Sequence, residues 1–268
     1  MTKTVSSLLI GQALGERKIG STADTLRTLL PSEIGRTSNA FAADISLQQV
    51  LDMRSGQKWD ESVRQRDATT APDMTAFALA LPSDGSARGT KFEYSTATSH
   101  LLSPILSNAY RMDELAVATN NLFQPMGIKQ AAWSRDASGM IHGSFGLQMR
   151  TRDLMKLAWM AHDGGRWQGR SVVPASWLAE NLQPHVTGLG DNGRLRNVGY
   201  GNMWWHGTLG GHKVVLGWGY GGQHALIVPG LNMTIATACE LNVSYGQADE
   251  NEDIIIDLIA RFLLQLTA

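Results

Sequence analysis

The stretch HKVVLGWGYGGQHALIVPGLNMTIATACE, residues 212–240, decides the fold class of this chain. It holds three apolar runs rich in β-branched residues, separated by breaks that contain glycine or proline, which is typical of neighbouring antiparallel strands. The break VPGLN (228–232) predicts a hairpin turn. A further strand-like run, GYGNMWWHG (199–207), comes before them. We therefore expect an antiparallel sheet in the C-terminal part of the chain.

Helical patterns surround the predicted sheet. The last segment, DENEDIIIDLIARFLLQLTA (249–268), predicts a helix with acidic residues in its first turn and an apolar stripe that lies on the sheet. Helical patterns or caps also occur within residues 1–20, 44–61, 91–110, 112–128, 150–165 and 172–184.

The order of elements is helix, helical lobe, antiparallel strands and terminal helix, which predicts an α+β fold. We expect one domain over residues 1–268, because the sequence has no repeats, low-complexity segments or linkers. Within it we predict a helical lobe at about 31–195 and a sheet lobe made of residues 1–30 and 196–268, with the first helix joining the sheet.

Charge and cysteine content narrow the possible partners. The net charge of −1 argues against a nucleic-acid partner or an anionic membrane surface. No apolar run is long enough to span a membrane. Cys239 is the only cysteine and no histidines follow the H-E-x-x-H spacing, so we expect no internal disulfide, no metal and no cofactor. A small molecule is the expected partner, and the oligomeric state and compartment stay open.

The segments and their order resemble the serine β-lactamase and penicillin-binding-protein family, and within it class C-type β-lactamase-related hydrolases such as 6-aminohexanoate-dimer hydrolases. The resemblance covers nearly the whole chain. It implies a β-lactamase/transpeptidase-like fold, with an antiparallel sheet flanked by helices, a helical lobe, and the family's N-terminal strands missing. The segments that carry it are TKTVSSLLIGQALGERKI (2–19), LQQVLDMRSGQKWDE (47–61), FEYSTATSHLLSPIL (92–106), TRDLMKLAWMAHDGGRWQGRSVVPASWL (151–178) and GWGYGGQHALIVPGLNMTIA (217–236).

The first family motif, S-x-x-K, opens the nucleophile helix. Residues three apart share a helix face, so the lysine amine can reach the serine hydroxyl one turn earlier. The resemblance makes Lys3 this lysine, which places the serine directly before Met1. We therefore expect a chain that begins just after the catalytic serine. The literal match Ser55–Lys58 is rejected, because it follows a helix and contains Gly56.

The second and third motifs are identified by the same resemblance. Tyr94 begins Tyr-Ser-Thr, where the family usually has Tyr-x-Asn, and would exchange protons with the serine and Lys3. The third motif aligns with Tyr220, Gly221 and Gly222, and the N–H of Gln223, or of Gly222 in a shifted register, would stabilise the oxyanion. This motif lacks the family's usual cation, which argues against tight binding of a β-lactam carboxylate.

Three functions stay open. The first is a serine-type hydrolase of amides or esters, with 6-aminohexanoate oligomers or short esters as substrates, represented by a chain without its nucleophile. The second is a non-catalytic binding module that keeps the cleft. The third is a non-functional fragment. A serine encoded in frame before Met1 would favour the first.

Overall fold

The structure is a computed structural model that describes residues 1–240 and 242–267. By its contacts the chain divides into two compact units, one of residues 2–148 and one of Met1 with residues 149–268. The predicted lobes, residues 31–195 and residues 1–30 with 196–268, stay a prediction about domain organisation.

The unit of residues 2–148 is mainly helical. Helix α1 is buried on almost every side, because small and apolar residues surround its axis, and it contacts α9 and α10. A π-helical turn, Thr119–Phe123, continues α10. The helices are α1 (Thr2–Gly15), α2 (Leu26–Leu29), α3 (Pro31–Ile34), α4 (Ala40–Ala43), α5 (Leu47–Leu51), α6 (Glu61–Thr69), α7 (Met74–Ala80), α8 (Thr96–His100), α9 (Leu102–Tyr110) and α10 (Glu114–Ala118), and the short strands are β1 (Ala131–Trp133) and β2 (Leu147–Met149).

The other unit is built on an antiparallel sheet. Its elements are α11 (Thr151–His162), β3 (Arg166–Trp167), β4 (Arg170–Ser171), α12 (Ala175–Asn181), β5 (Arg196–Gly201), β6 (Trp204–Leu209), β7 (His212–Gly219), β8 (Gln223–Val228), β9 (Met233–Thr237) and α13 (Tyr245–Leu264). Within the described residues, β5 to β9 pair in chain order, each antiparallel to the next. The predicted α+β class is therefore confirmed.

Helix α13 covers one face of this sheet. Ile259 and Leu263 of the helix share a buried cluster with Leu216 and Leu226 of adjacent strands. Strand residues between these point to the opposite face, where Ile227 is also fully buried, and α11 contacts β8 and β9. Alternation along the strands therefore places apolar side chains on both faces.

The terminal helix begins earlier than the sequence predicts. Ser244 caps it by accepting a hydrogen bond from the N–H of Gln247, so the acidic residues that start at Asp249 lie beyond the first turn. The predicted stripe is also only partly on the sheet, since Leu258 and Phe262 are exposed. In the described part of the chain, no helix has both the length and the apolar character needed to cross a membrane.

Candidate active site

The first turn of α1 carries Lys3, and the fold brings it to Tyr94. The Lys3 Nζ lies 4.9 Å from the centroid of the Tyr94 ring. The same Nζ donates a hydrogen bond of 3.0 Å to the backbone oxygen of Ser144. Both side chains are partly buried. The ring face and a carbonyl therefore hold the lysine in place.

Tyr94 is positioned by the start of α8. Ser95 is the N-cap of that helix and accepts a hydrogen bond from the N–H of Thr98. Thr96 stands where the family usually has an amide, and both its N–H and its hydroxyl donate to the carboxylate of Glu61. Trp59 also donates its indole N–H to Glu61, at 2.7 Å. The third residue of this motif is therefore bonded to the WDE segment of the same unit.

Ser144 belongs to a backbone turn that is held by neighbouring helices. The N–H of Gly143 donates to Nδ1 of His100, at 3.3 Å. A Cβ at Gly143 would lie 2.8 Å from the backbone oxygen of His100, closer than atoms can approach, so the position requires glycine. The carbonyl that accepts from Lys3 is in the next peptide.

A buried carboxyl lies behind this turn, and the sequence analysis did not find it. Glu114 and Ser6 are both fully buried, and their Oε1 and Oγ atoms are 2.6 Å apart. The Ser6 Oγ is also 3.1 Å from the backbone oxygen of Gly143. Burial raises the pKa of Glu114 to about 7, although hydrogen bonds from Ser6 and Ser103 oppose the rise. A carboxyl with this pKa can hold or release a proton near neutral pH.

Histidine ionisation is suppressed in the same unit. Burial lowers the pKa of His100 to about 3, so its ring is neutral at ordinary pH. Because Nδ1 accepts from Gly143, the ring proton is on Nε2, which lies 3.1 Å from the hydroxyl of Thr75. His100 therefore acts here as a fixed hydrogen-bonding group.

The third-motif residues lie in the other unit, at the turn between β7 and β8. Tyr220 is 48% exposed, while Gly221 donates its N–H to Oε2 of Glu252 at 3.1 Å. The side chain of Gln223 donates to the backbone oxygen of Cys239 at 2.9 Å. The N–H of Gly221 is therefore bonded to a carboxylate, while the backbone N–H groups of Gly222 and Gln223 stay the candidate oxyanion donors.

Glu252 reaches this turn from α13. Its Oε1 accepts the indole N–H of Trp218 at 2.7 Å, and burial raises its pKa above the usual range. At Gly222 the backbone has φ of +87°, and a Cβ would lie 3.1 Å from the sulfur of Cys239. The glycine of the motif is therefore required by both backbone conformation and space.

The predicted site residues thus form two groups, each within one unit: Lys3 with Tyr94, and the stretch 220–223. In the described residues, no cluster of three or more histidine, cysteine or carboxylate side chains has an arrangement suited to a metal.

Comparisons with known proteins agree on one fold. The sequence profile of the Beta-lactamase family matches residues 1–259. A Bacillus anthracis protein described as a candidate 6-aminohexanoate-dimer hydrolase superposes with a TM-score of 0.76 at 17% identity, covering 98% of this chain and 72% of that one. EstCE1, described as a hydrolase with promiscuous acyltransferase activity, superposes with a TM-score of 0.69 at 14% identity, covering 95% and 83%.

A D-stereospecific amidohydrolase from a Streptomyces species gives a TM-score of 0.65 at 18% identity, covering 87% of this chain and 78% of that one. At these identities the structural likeness shows the fold, and the predicted β-lactamase/transpeptidase-like architecture is confirmed. No curated protein matches the sequence.

Proposed function

The chain belongs to the Beta-lactamase family, and from this we propose that it contributes Lys3 and Tyr94 to a serine-type hydrolase that cleaves amide or ester bonds through an acyl-enzyme. The observation that carries the proposal is the position of the Lys3 amine, fixed between the Tyr94 ring and the Ser144 carbonyl. A lysine in the first turn of a buried helix can take a proton from a hydroxyl one turn earlier.

The nucleophile in this proposal is a serine three positions before Lys3, outside the 268 residues. Its oxygen would attack the substrate carbonyl and pass its proton to the Lys3 amine, with the Tyr94 hydroxyl as relay. The leaving amine or alcohol would take up that proton, and water would then release the acyl group. In the other unit, the N–H of Gln223, or of Gly222 in the shifted register, is the proposed oxyanion donor.

Linear amides and short esters are the proposed substrates. The absence of a cation in the stretch 220–223 disfavours substrates that need a bound carboxylate. Structural neighbours described as a 6-aminohexanoate-dimer hydrolase, an amidohydrolase and a promiscuous acyltransferase support this range.

The test compares the 268-residue chain with a form that carries the in-frame upstream residues, including a serine before Met1. We expect fluorophosphonate labelling and p-nitrophenyl ester or aminohexanoate-amide hydrolysis only in the extended form. In that form Lys3→Met should lower kcat by about 10²- to 10⁴-fold, as expected for loss of a general base. Lys129→Met, a change of an exposed lysine in the same unit, is the matched control.

Tyr94→Phe separates the two contributions of the tyrosine. It keeps the aromatic face that Lys3 contacts and removes only the hydroxyl, so a large fall in kcat would assign the relay to the hydroxyl. Unchanged activity in Lys3→Met, or rapid stoichiometric labelling of the unextended chain, would contradict the proposal.

A non-catalytic binding module is the second candidate. The bonding of Thr96 to Glu61 favours it, because the residue in place of the family's amide already donates both its N–H and its hydroxyl to a carboxylate. This candidate predicts that the extended form binds short amides without hydrolysing them.

A further inference from the structure

We propose that Glu114 and Ser6 form a proton-dependent clamp on the backbone of Gly143 and Ser144, and that the protonation state of Glu114 thereby positions Lys3. The catalytic consequence of this clamp rests on the proposed function, whereas the clamp itself rests on geometry within the unit of residues 2–148.

The Ser6 hydroxyl has more possible acceptors around it than protons to donate. Its Oγ lies 2.6 Å from Oε1 of Glu114, 3.1 Å from the backbone oxygen of Gly143 and 3.4 Å from that of Thr2. A hydroxyl has one proton to donate, so it cannot serve three acceptors. When Glu114 is ionised, the proton goes to the short, charge-assisted contact, and the Gly143 oxygen loses it.

The neutral carboxyl resolves this conflict. A protonated Glu114 donates its own O–H to the Ser6 oxygen, which leaves the Ser6 proton for the Gly143 carbonyl at 3.1 Å. The Ser6 hydroxyl then accepts one hydrogen bond and donates another, and the Gly143 oxygen keeps its donor. Two donor–acceptor patterns therefore exist on the same heavy atoms, and the proton on Glu114 selects between them.

The groups around Glu114 favour its neutral form near neutral pH. Full burial is the largest influence, and Asp113 adds a like charge from the same helix end. The hydroxyls of Ser103 on α9 and Ser6 on α1 oppose these two influences, because their hydrogen bonds lower the pKa of Glu114. Lys3 lies one turn before Ser6 on α1. His100 of α8 holds the clamped glycine as a neutral ring.

The Gly143–Ser144 backbone connects the clamp to Lys3. The Gly143 N–H donates a hydrogen bond to His100. Because glycine has no Cβ, the Gly143 backbone lies so close to α8 that it cannot move further towards that helix. A change in the hydrogen bond between Ser6 and Gly143 is therefore expected to move the Gly143 carbonyl, because the N–H of that residue is fixed. The following carbonyl, of Ser144, is the acceptor for the Lys3 amine. Ionisation of Glu114 therefore frees the Gly143 carbonyl, in the peptide next to the one that binds Lys3.

The clamp can be tested on the 268-residue chain without any assay of activity. The measurement follows the carbonyl ¹³C shifts of Gly143 and Ser144 by NMR while the pH crosses the pKa of Glu114, about 7. In the wild type we expect both carbonyls to titrate together with that midpoint. Glu114→Gln should abolish the titration and keep the low-pH shifts, because its amide donates to Ser6 as the neutral carboxyl does.

Ser6→Ala removes the hydroxyl that connects Glu114 to the Gly143 carbonyl and keeps the carboxyl itself. The infrared band of the protonated Glu114 should still disappear with rising pH, while the two carbonyl shifts should no longer follow it. Glu180→Gln, a change of an exposed acid, should behave as wild type. Carbonyls that titrate in Glu114→Gln, or that titrate in Ser6→Ala as in the wild type, would overturn the clamp.

The serine-containing form then separates the clamp from the proposed function. We expect its kcat to fall as pH rises through about 7, and we expect this limb to be lost in Glu114→Gln. No hydrolysis together with coupled carbonyl titration would refute the proposed function and leave the clamp. If the serine-containing form and its Glu114→Gln variant both hydrolyse the substrate and show the same fall in kcat near pH 7, the clamp has no role in catalysis and the proposed function stands.

Discussion

Replacing Glu114 by Gln should change how the stability of this protein depends on pH. Burial raises the pKa of Glu114 from an ordinary 4.5 to about 7, so the folded state binds the proton more tightly than the unfolded state. The stabilisation is complete below 4.5 and is lost as pH rises through about 7. A difference of roughly 2.5 pKa units at about 1.4 kcal/mol each corresponds to about 3 kcal/mol.

Urea unfolding near the two ends of this window measures the effect. We expect the free energy of unfolding of the wild type to fall by about 3 kcal/mol more than that of Glu114→Gln between about pH 4.5 and about pH 8. Glu180→Gln, which removes an exposed carboxyl, should keep the wild-type dependence. Parallel curves for wild type and Glu114→Gln would mean that the buried carboxyl is not protonated preferentially in the folded state, which would refute the reasoning.

Three further predictions concern stability. Gly143→Ala should destabilise the protein by about 1–3 kcal/mol in urea unfolding, because its Cβ would lie 2.8 Å from the backbone oxygen of His100, whereas Gly230→Ala, with open space around it, should be close to neutral. Burial lowers the pKa of His224 to about 4, so the unfolded state takes up the proton first and stability should fall as pH drops from 6.5 towards 4. His224→Phe should make this acid slope in thermal melts less steep, while other buried histidines such as His100 keep their share of it. Replacing Trp204, which is 2% exposed, by Ala should lower the free energy of unfolding by about 3–5 kcal/mol, which a lower Tm will show.

Local signals in the sequence were sufficient for much of the fold. Ser46 and Gln49 form the capping box that starts α5, and the breaks around 220–222 and 229–231 are the turns between paired strands. The start of α13 was predicted incorrectly, because the acidic run beginning at Asp249 is a stronger sequence signal than Ser244, which caps the helix five residues before Asp249. The choice between two possible caps depends on packing, which a single sequence does not contain.

The site was predictable only where resemblance supplied the residues. Lys3 and Tyr94 are far apart in sequence, and the structure brings their side chains together, while their catalytic roles stay a prediction. Glu114 was missed because an acid just after the N-cap Asp113 is typical of an ordinary exposed helix start. Its burial comes from α10 packing against α1, where Ser6 is 108 positions away along the chain.

Carboxylates from distant helices hold each segment that the motifs single out. Glu61 binds the backbone and hydroxyl of Thr96, Glu114 reaches the Ser6 hydroxyl, and Glu252 binds the N–H of Gly221. Two of these contacts, those of Glu61 and Glu252, fall where the chain departs from the family motifs, at Thr96 in place of an amide and in the stretch 220–223 without a cation.

A carboxylate that accepts from the motif backbone fixes it, but it also uses donors that a charged substrate would need. On the proposed function, we therefore expect anionic substrates to bind less well than neutral acyl groups. If this reasoning holds, Glu252→Gln in the serine-containing form should weaken the hold on the Gly221 N–H and raise the affinity for acyl groups that carry a carboxylate, read as a lower KM for those substrates relative to neutral esters. An equal change in KM for both classes would show that Glu252 supports the turn without selecting the substrate.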